Sequence, residues 1–548
     1  MADEGRKRKN AKRKGANLMK NLFKKMSAIL IAAVMVLAMA STAFAKTGNM
    51  AGTKPTGNDT GSVTISGLVA GDRVDLYKIV EAQYNNDGFY GYKAVDGVAI
   101  ANTTTFVPTT AEIATLANQS LTSVKNATVA KGATSVEIGD LEIGSYLVKV
   151  TAGQGNITVY NPMVVSVAYV AEGNTTKVLY GAVNADSNYE INGSVAYAKS
   201  SKETTPDKNI KNGSVIVNGV AAKKGDAVAK GDTVTYEITG TIPSYNPDYY
   251  TSPVYVITDT ISEGLDFNTA KTVKESLQKQ ADDKFGANKA TVEVIERTIT
   301  ITLKPEYIIT LAAKTKEERS YKFEYSALLN GKSVNFDAST NTVKVNYSNT
   351  PTTTTDSEEV KTYHYTFAFN GDVTKVNEEN KPLVGAKFGL FTDTACKTPA
   401  INAHTSEQIT AISTSINGNA EINFTGLDNK VYYMKEIATP SAEYKLNNTV
   451  YKVEFTPTLD AEGKMSQYKV TVKDMSNNTE RTNTYVPGDN NTATISGDKS
   501  VTEIQNTKLG NLPSTGGMGT YLFTIIGVVV MAGAAGAFFI SRRKGSEE

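Results

Sequence analysis

Thr291-Val292-Glu293-Val294-Ile295-Glu296-Arg297-Thr298-Ile299-Thr300-Ile301-Thr302-Leu303 is the stretch that decides the fold. Apolar and polar residues alternate along it, and β-branched side chains dominate. A period of two sends alternate side chains to opposite faces, which suits a half-buried strand and not a helix. The same pattern recurs at 62–65, 232–239 and 451–455. Turn clusters such as Asn370-Gly371-Asp372 and Asn417-Gly418-Asn419 separate such runs. A few short segments, 110–117 and 272–280 among them, read as helical insertions. Short strands spaced by turns predict an all-β chain of tandem immunoglobulin-like β-sandwich domains.

The 548 residues have room for several such modules, at roughly 100–200 residues each. A hydrophobic content of 40% with 21% charged residues is a globular composition. One Cys excludes an internal disulfide, and two His leave Cys/His zinc, haem and iron–sulfur sites unsupported. The net charge of +1 conceals an uneven distribution. Ten basic and two acidic residues lie in 1–45, so the remainder holds 47 basic against 54 acidic. A mildly acidic body argues against nucleic-acid binding.

The basic leader reads as a signal peptide, 1–45. Lys20, Lys24 and Lys25 precede the apolar run 28–40, and Ala43-Phe44-Ala45 offers a cleavage site. The charged segment before the run is long, and Met19 would make a more ordinary start. At the other end, 509–548, Leu512-Pro513-Ser514-Thr515-Gly516 precedes an uncharged, mostly apolar stretch, 521–540, and then Arg542-Arg543-Lys544. As a helix that stretch is about 30 Å long, one hydrocarbon thickness, with its basic end on the cytoplasmic side. Motif, span and basic tail resemble the cell-wall sorting signal of Gram-positive surface proteins. The resemblance implies that a sortase cleaves between Thr515 and Gly516 and passes the Thr515 carbonyl to an amine.

Polar stretches at 200–206 and 349–359 predict connectors, which gives modules at 46–194, 195–355 and 356–508. A faint repeat links the first and third. Gly71-Asp72-Arg73-Val74-Asp75-Leu76-Tyr77 parallels Gly385-Ala386-Lys387-Phe388-Gly389-Leu390-Phe391, and 139–146 parallels 426–432 in the same order.

Lys381-Pro382-Leu383-Val384-Gly385-Ala386-Lys387-Phe388, with Phe424-Thr425-Gly426-Leu427 and 432–440, resembles the B-type repeat of collagen adhesins, which also closes sortase-assembled pilus shafts. Gly231-Asp232-Thr233-Val234-Thr235-Tyr236 and 257–265 resemble the isopeptide-forming domain of fimbrial major subunits. In that family a Lys of the first strand bonds to an Asn of the last, a buried acid catalyses the step, and ammonia leaves. The residue types suit the chemistry. A charged ammonium is no nucleophile, so the Lys must be desolvated and neutral, and the same burial keeps the acid protonated. Fixed geometry supplies the effective concentration.

Carried over residue by residue, the resemblance implies Lys375, Glu436 and Asn506 in the third module. In the second it implies Lys208, Asp259 and Asn341, with Asn346 and Asn349 as alternatives to Asn341. Lys208 and Asn341 lie 133 positions apart, Lys375 and Asn506 131, so each bond would join the two ends of one module. The first module has Ile65 and Val150 where the third has Lys375 and Glu436, and is expected to be uncrosslinked. Shaft pilins carry the polymerising amine at the end of the first module, which here implies Lys199 in Tyr197-Ala198-Lys199, with Lys202 as runner-up. His364, His404 and Cys396 sit in no catalytic pattern.

The reading is a major shaft subunit of a covalent pilus, secreted and anchored to the Gram-positive wall, supporting adhesion. The rival is a monomeric wall-anchored adhesin stalk. The resemblance implies as partners pilus-specific and housekeeping sortases, other copies of the chain, minor pilins and peptidoglycan. It implies no cofactor and no metal, and leaves any host surface ligand unspecified.

Overall fold

The computed structural model describes residues 52–100, 108–153, 155, 157–217, 220–330, 332, 335–509 and 519–544. The signal peptide and Leu512 to Gly516 lie outside them. Within 60–509 the chain is built of strands, with short helices at a few places.

The opening stretch forms a hairpin. Ala290–Ile295 and Thr298–Leu303 pair antiparallel, with Ile295 opposite Thr298 across a two-residue turn. Glu296 takes the positive φ (51°) that such a tight turn demands. Val292, Ile299, Ile301 and Leu303 are buried, so the alternation in sequence is an alternation between core and solvent.

Three pairs of sheets follow one another along the chain. In the first, Val195–Tyr197, Thr60–Ser66 and Ser135–Glu142 form a small sheet, and a larger one carries Arg73–Asn85 beside Gly144–Thr151. In the second, Asp207–Ile210, Thr233–Thr241, Ser320–Leu329 and Leu265–Asp266 lie side by side. They share a core with a seven-stranded sheet that includes Ser339–Thr350 and Tyr255–Ile261. In the third, Thr414–Ile416, Asn419–Glu421, Val373–Val376 and Thr502–Gln505 are one sheet, and seven strands from Lys387–Phe391 to Ala493–Ile495 are the other.

The polar stretches are not free connectors. Ser200–Glu203 pairs antiparallel with Ile157–Tyr160 of the first unit. Thr353–Asp356 doubles back on 346–350, and Val360–Tyr365 pairs with 339–343, so the second large sheet runs past residue 355 to Tyr365. Threonine explains why polarity misleads here. Its β-branch favours an extended edge strand, whatever its hydroxyl does for solubility.

Helix Thr110–Ala117 falls where expected, closed by a Thr109–Glu112 capping box. The second helix is longer than 272–280. Ala270–Phe285 buries Val273, Leu277, Ala281 and Phe285, four residues apart, while charged residues cover its outer face. Helices Pro305–Thr310 and Lys316–Arg319 were not foreseen, although Pro at the first position and a Thr315–Glu318 capping box mark their starts. A helix of 26 residues, Gly519–Lys544, covers the expected 521–540 span. Side chains are described only for 523–539 and 541–542, and among the described residues no helix is long and apolar enough to cross a membrane.

Candidate functional site

Strand alternation aims the second module's residues inward. Asp207–Ile210 turns Lys208 and Ile210 to the core, and Tyr255–Ile261 turns in Tyr255, Ile257, Asp259 and Ile261. Lys208 therefore comes from the smaller sheet, and Asp259 and Asn341 from neighbouring strands of the larger one, where Ile261 faces Asn341 in register. All three are at most 1% exposed. Lys208 Nζ pairs with Asp259 Oδ2, and it lies 4.8 Å from the centre of the Tyr236 ring and 5.2 Å from that of Tyr325. The Tyr325 hydroxyl donates to Asp259 Oδ1 at 2.9 Å and accepts from Asn341 Nδ2 at 2.6 Å. Burial pushes the Lys208 amine down and the Asp259 carboxyl up, toward a neutral pair, against the pull of their opposite charges.

The alternatives to Asn341 do not reach this point. Asn346 sits on the other face of the strand and donates to Asp356. Asn349 is buried, but eight positions along the strand, where it accepts from Thr353.

The third module reaches a similar cluster by another route. Val373–Val376 and Thr502–Gln505 are parallel neighbours, with Lys375 opposite Ile504, and Asn506 N–H donates to the Val376 carbonyl at 3.0 Å. Lys and Asn thus lie on adjacent strands of one sheet. Glu436 comes from Tyr432–Ala438 of the facing sheet, inward-pointing with Tyr432 and Met434. Its Oε1 accepts from Asn506 Nδ2 at 2.8 Å, and its Oε2 from Asn447 N–H at 2.7 Å. Lys375 Nζ donates to the Ile504 carbonyl at 2.8 Å. Burial lowers Lys375 from its ordinary 10.5 to about 8 and raises Glu436. The amide oxygens of Asn506 and Asn341 are buried and unpartnered. Turning the Asn506 amide over would set its oxygen against Glu436, which, protonated, donates to it.

The first module repeats this topology with apolar residues. Thr60–Ser66 runs parallel to Val195–Tyr197, and Ala198 N–H donates to the Ser66 carbonyl, as Asn506 does to Val376. Val150 faces Val74 where Glu436 faces Phe388. Ile65, Val150 and Ala198 thus stand in the places of Lys375, Glu436 and Asn506, each at most 2% exposed.

Lys199 follows directly and is exposed, its carbonyl accepting from Asn161 N–H. Lys202 is exposed too, so exposure does not choose between them. Sequence reasoning missed Tyr325, Tyr236 and the buried His364, whose Nε2 lies 2.9 Å from the Tyr236 hydroxyl and which burial holds at about 3, hence neutral. Their only signal was an inward parity on their strands. Cys396 is a partly exposed free thiol, and among the described residues no cluster could hold a metal ion.

Residues 58–200 match the family described as T6 antigen Ig like domain, 370–483 the prealbumin-like fold domain, and 504–547 the LPXTG cell wall anchor motif. The trypsin-resistant surface T6 protein of Streptococcus pyogenes serotype M6 is 27% identical over 551 residues, which cover 89% of this chain and 96% of that protein. In fold the chain is similar to the T6 backbone pilin of the same serotype, described as a modular three-domain structure. That similarity has 22% identity and a TM-score of 0.54, over 83% of this chain and all of the other. Matching modules in order, a similar fold and a wall-sorting signal make the chain a wall-anchored major pilin of the sortase-assembled kind.

Proposed function

We propose that this shaft subunit locks itself with two Lys–Asn isopeptide bonds, Lys208–Asn341 and Lys375–Asn506, catalysed by Asp259 and Glu436. The three modules 46–194, 195–355 and 356–508 are its building units, the second carrying its last strand to Tyr365. One observation carries the reading: two separate cores each hold a fully buried Lys, a buried carboxyl and a buried Asn, all within one hydrogen-bonded or ion-paired cluster. A soluble β-sandwich gains little by burying such charges, because removing them from water costs more than the pair returns. Covalent closure removes both charges.

Polymerisation then uses Lys199 as the amine that takes the Thr515 acyl group of another copy from the sortase. Minor pilins join by the same exchange, and a housekeeping sortase passes the finished shaft to peptidoglycan. Lys199 is supported by its exposure and by its place at the end of the first module's last strand.

Intact mass tests the bonds. Each loses one ammonia, so residues 46–508 should weigh about 34 Da less than their sequence, and Asp259→Ala or Glu436→Ala should each restore about 17 Da. A mass equal to the sequence would refute the reading. The shaft role is tested in wall extracts: Lys199→Ala should abolish the high-mass ladder and leave anchored monomer. A ladder that survives it and vanishes with Lys202→Ala would transfer the role to Lys202. A single band from the unaltered chain would mean a stalk.

A further inference from the structure

The two clusters divide their work differently. In the third module Glu436 touches the Asn506 amide directly. In the second, Asp259 bonds to Lys208 and to Tyr325, and it is the Tyr325 hydroxyl that meets the amide. Aspartate is one methylene shorter than glutamate, and the phenol stands between it and Asn341. The oxygen of that hydroxyl lies 2.6 Å from Asn341 Nδ2, 3.3 Å from Lys208 Nζ and 2.9 Å from Asp259 Oδ1. It is thus within hydrogen-bond reach of the attacking nitrogen, the leaving nitrogen and the acid.

We propose that Tyr325 is a catalytic residue of the second module's crosslink, carrying a proton from the attacking to the leaving nitrogen. This rests on the isopeptide reading of the same cluster. The steps balance. Asp259 takes one proton from the Lys208 ammonium, which leaves a neutral amine and a neutral acid. The amine lone pair attacks Cγ of Asn341, and the carbonyl electrons move to oxygen. The new N–C bond leaves two protons and a positive charge on Lys208 Nζ. Tyr325 accepts one of these as it gives its own proton to Nδ2. The Cγ–Nδ2 bond breaks, its electrons leave with ammonia, and the carbonyl re-forms. The products are a secondary amide, ammonia, an acid form of Asp259 and an unchanged tyrosine.

A phenol is suited to such a step. It donates and accepts through one atom and stays neutral at the start and the end. Burial holds its proton firmly, so it exchanges in concert and does not ionise. Its ring lies against Lys208 as well, so a packing role must be separated from the hydroxyl's role.

Tyr325→Phe makes that separation, since it keeps the ring and removes only the oxygen. General acid–base groups contribute about 100-fold or more in rate. The freshly purified Y325F chain should therefore show a loss of about 17 Da, from the third module alone, with the second 17 Da lost only on long incubation. Loss of the full 34 Da at the earliest time sampled would overturn the role of Tyr325 and leave the isopeptide reading intact. No loss from the unaltered chain would instead overturn the isopeptide reading. Tryptic cleavage between 208 and 341 would reveal a Y325F chain that fails to fold. Asp259→Glu in the same chain then carries the test, because the longer acid reaches the amide as Glu436 does. Restored loss in that double variant supports the relay, and a second module still lacking its bond refutes it.

Discussion

Lys375 makes the energetics of the site measurable. In an Asn506→Ala chain no bond can form there, so the lysine remains a titrating amine. Unfolded, it holds its proton up to an ordinary 10.5, whereas burial in the folded chain lowers that to about 8. Between those values the unfolded state binds more protons, so stability rises with pH across that window and is flat in this contribution below it. Thermal midpoints of the N506A chain from pH 7 to 10 should be level up to about 8 and then climb. A midpoint that falls over the upper range would show that Lys375 is not held neutral by burial. The same titration sets the reaction, since only the neutral amine attacks. The identities of Lys375, Glu436 and Asn506 were legible because their surrounding motifs are specific. Tyr325 was not, because one tyrosine among 28 carries no mark of its partners until strands from both sheets meet.

At the scale of elements, helix Ala270–Phe285 has a task that its amphipathic pattern does not announce. It lies across open edges of both sheets of the second module. Gln280 accepts from Glu324 N–H at 2.8 Å and donates to the Glu324 carbonyl at 2.7 Å, on the edge of Ser320–Leu329 that the two-residue strand Leu265–Asp266 leaves bare. Gln278 does the same for Ala290–Ile295, accepting from Val292 N–H and donating to the Ala290 carbonyl. Each glutamine amide mimics one residue of a missing strand. Unpaired edges template association with other chains, a particular hazard for a protein concentrated in a polymer. Gln280→Ala leaves a donor and an acceptor without partners, at a cost of about 1–3 kcal/mol. That cost should appear as a lower thermal midpoint in an Asp259→Ala chain, whose second module is free to unfold. An unchanged midpoint would mean that water replaces the amide without loss.

Across the whole molecule, tension enters the shaft at Lys199 and leaves at Thr515, with both proposed bonds between them. The first module hangs beside this path, held to it by the four-residue strand Ser200–Glu203 and by Glu203, whose carboxylate accepts from Arg319 at 2.7 Å. Between the bonds the chain is not a bare connector. Residues 342–374 include most of Ser339–Thr350, all of Thr353–Asp356 and Val360–Tyr365, and these strands carry load by hydrogen bonds alone. Pulling between 199 and 515 should therefore give no module-sized step, and any step should stay below about 110 Å, the full extension of that segment. Glu436→Ala should add one long step from the third module. Steps of about 440 Å in the unaltered chain would show that the loops of some 130 residues are open.

The sequence by itself determined the fold class, the order of the modules, the sorting signal and most of the chemical groups of the two clusters. Period-two patterning and short motifs are local, so they survive without a structure. Tertiary structure alone decided that Asn341 and not Asn346 meets Lys208, because facing depends on the parity of a strand within a sheet. It decided that 353–356 pairs and does not dangle, because threonine's polarity and its strand preference point opposite ways. It decided also that the first module keeps the third module's topology with Ile65, Val150 and Ala198 in place of the reactive groups. That equivalence rests on register between strands more than a hundred residues apart, which no local pattern records.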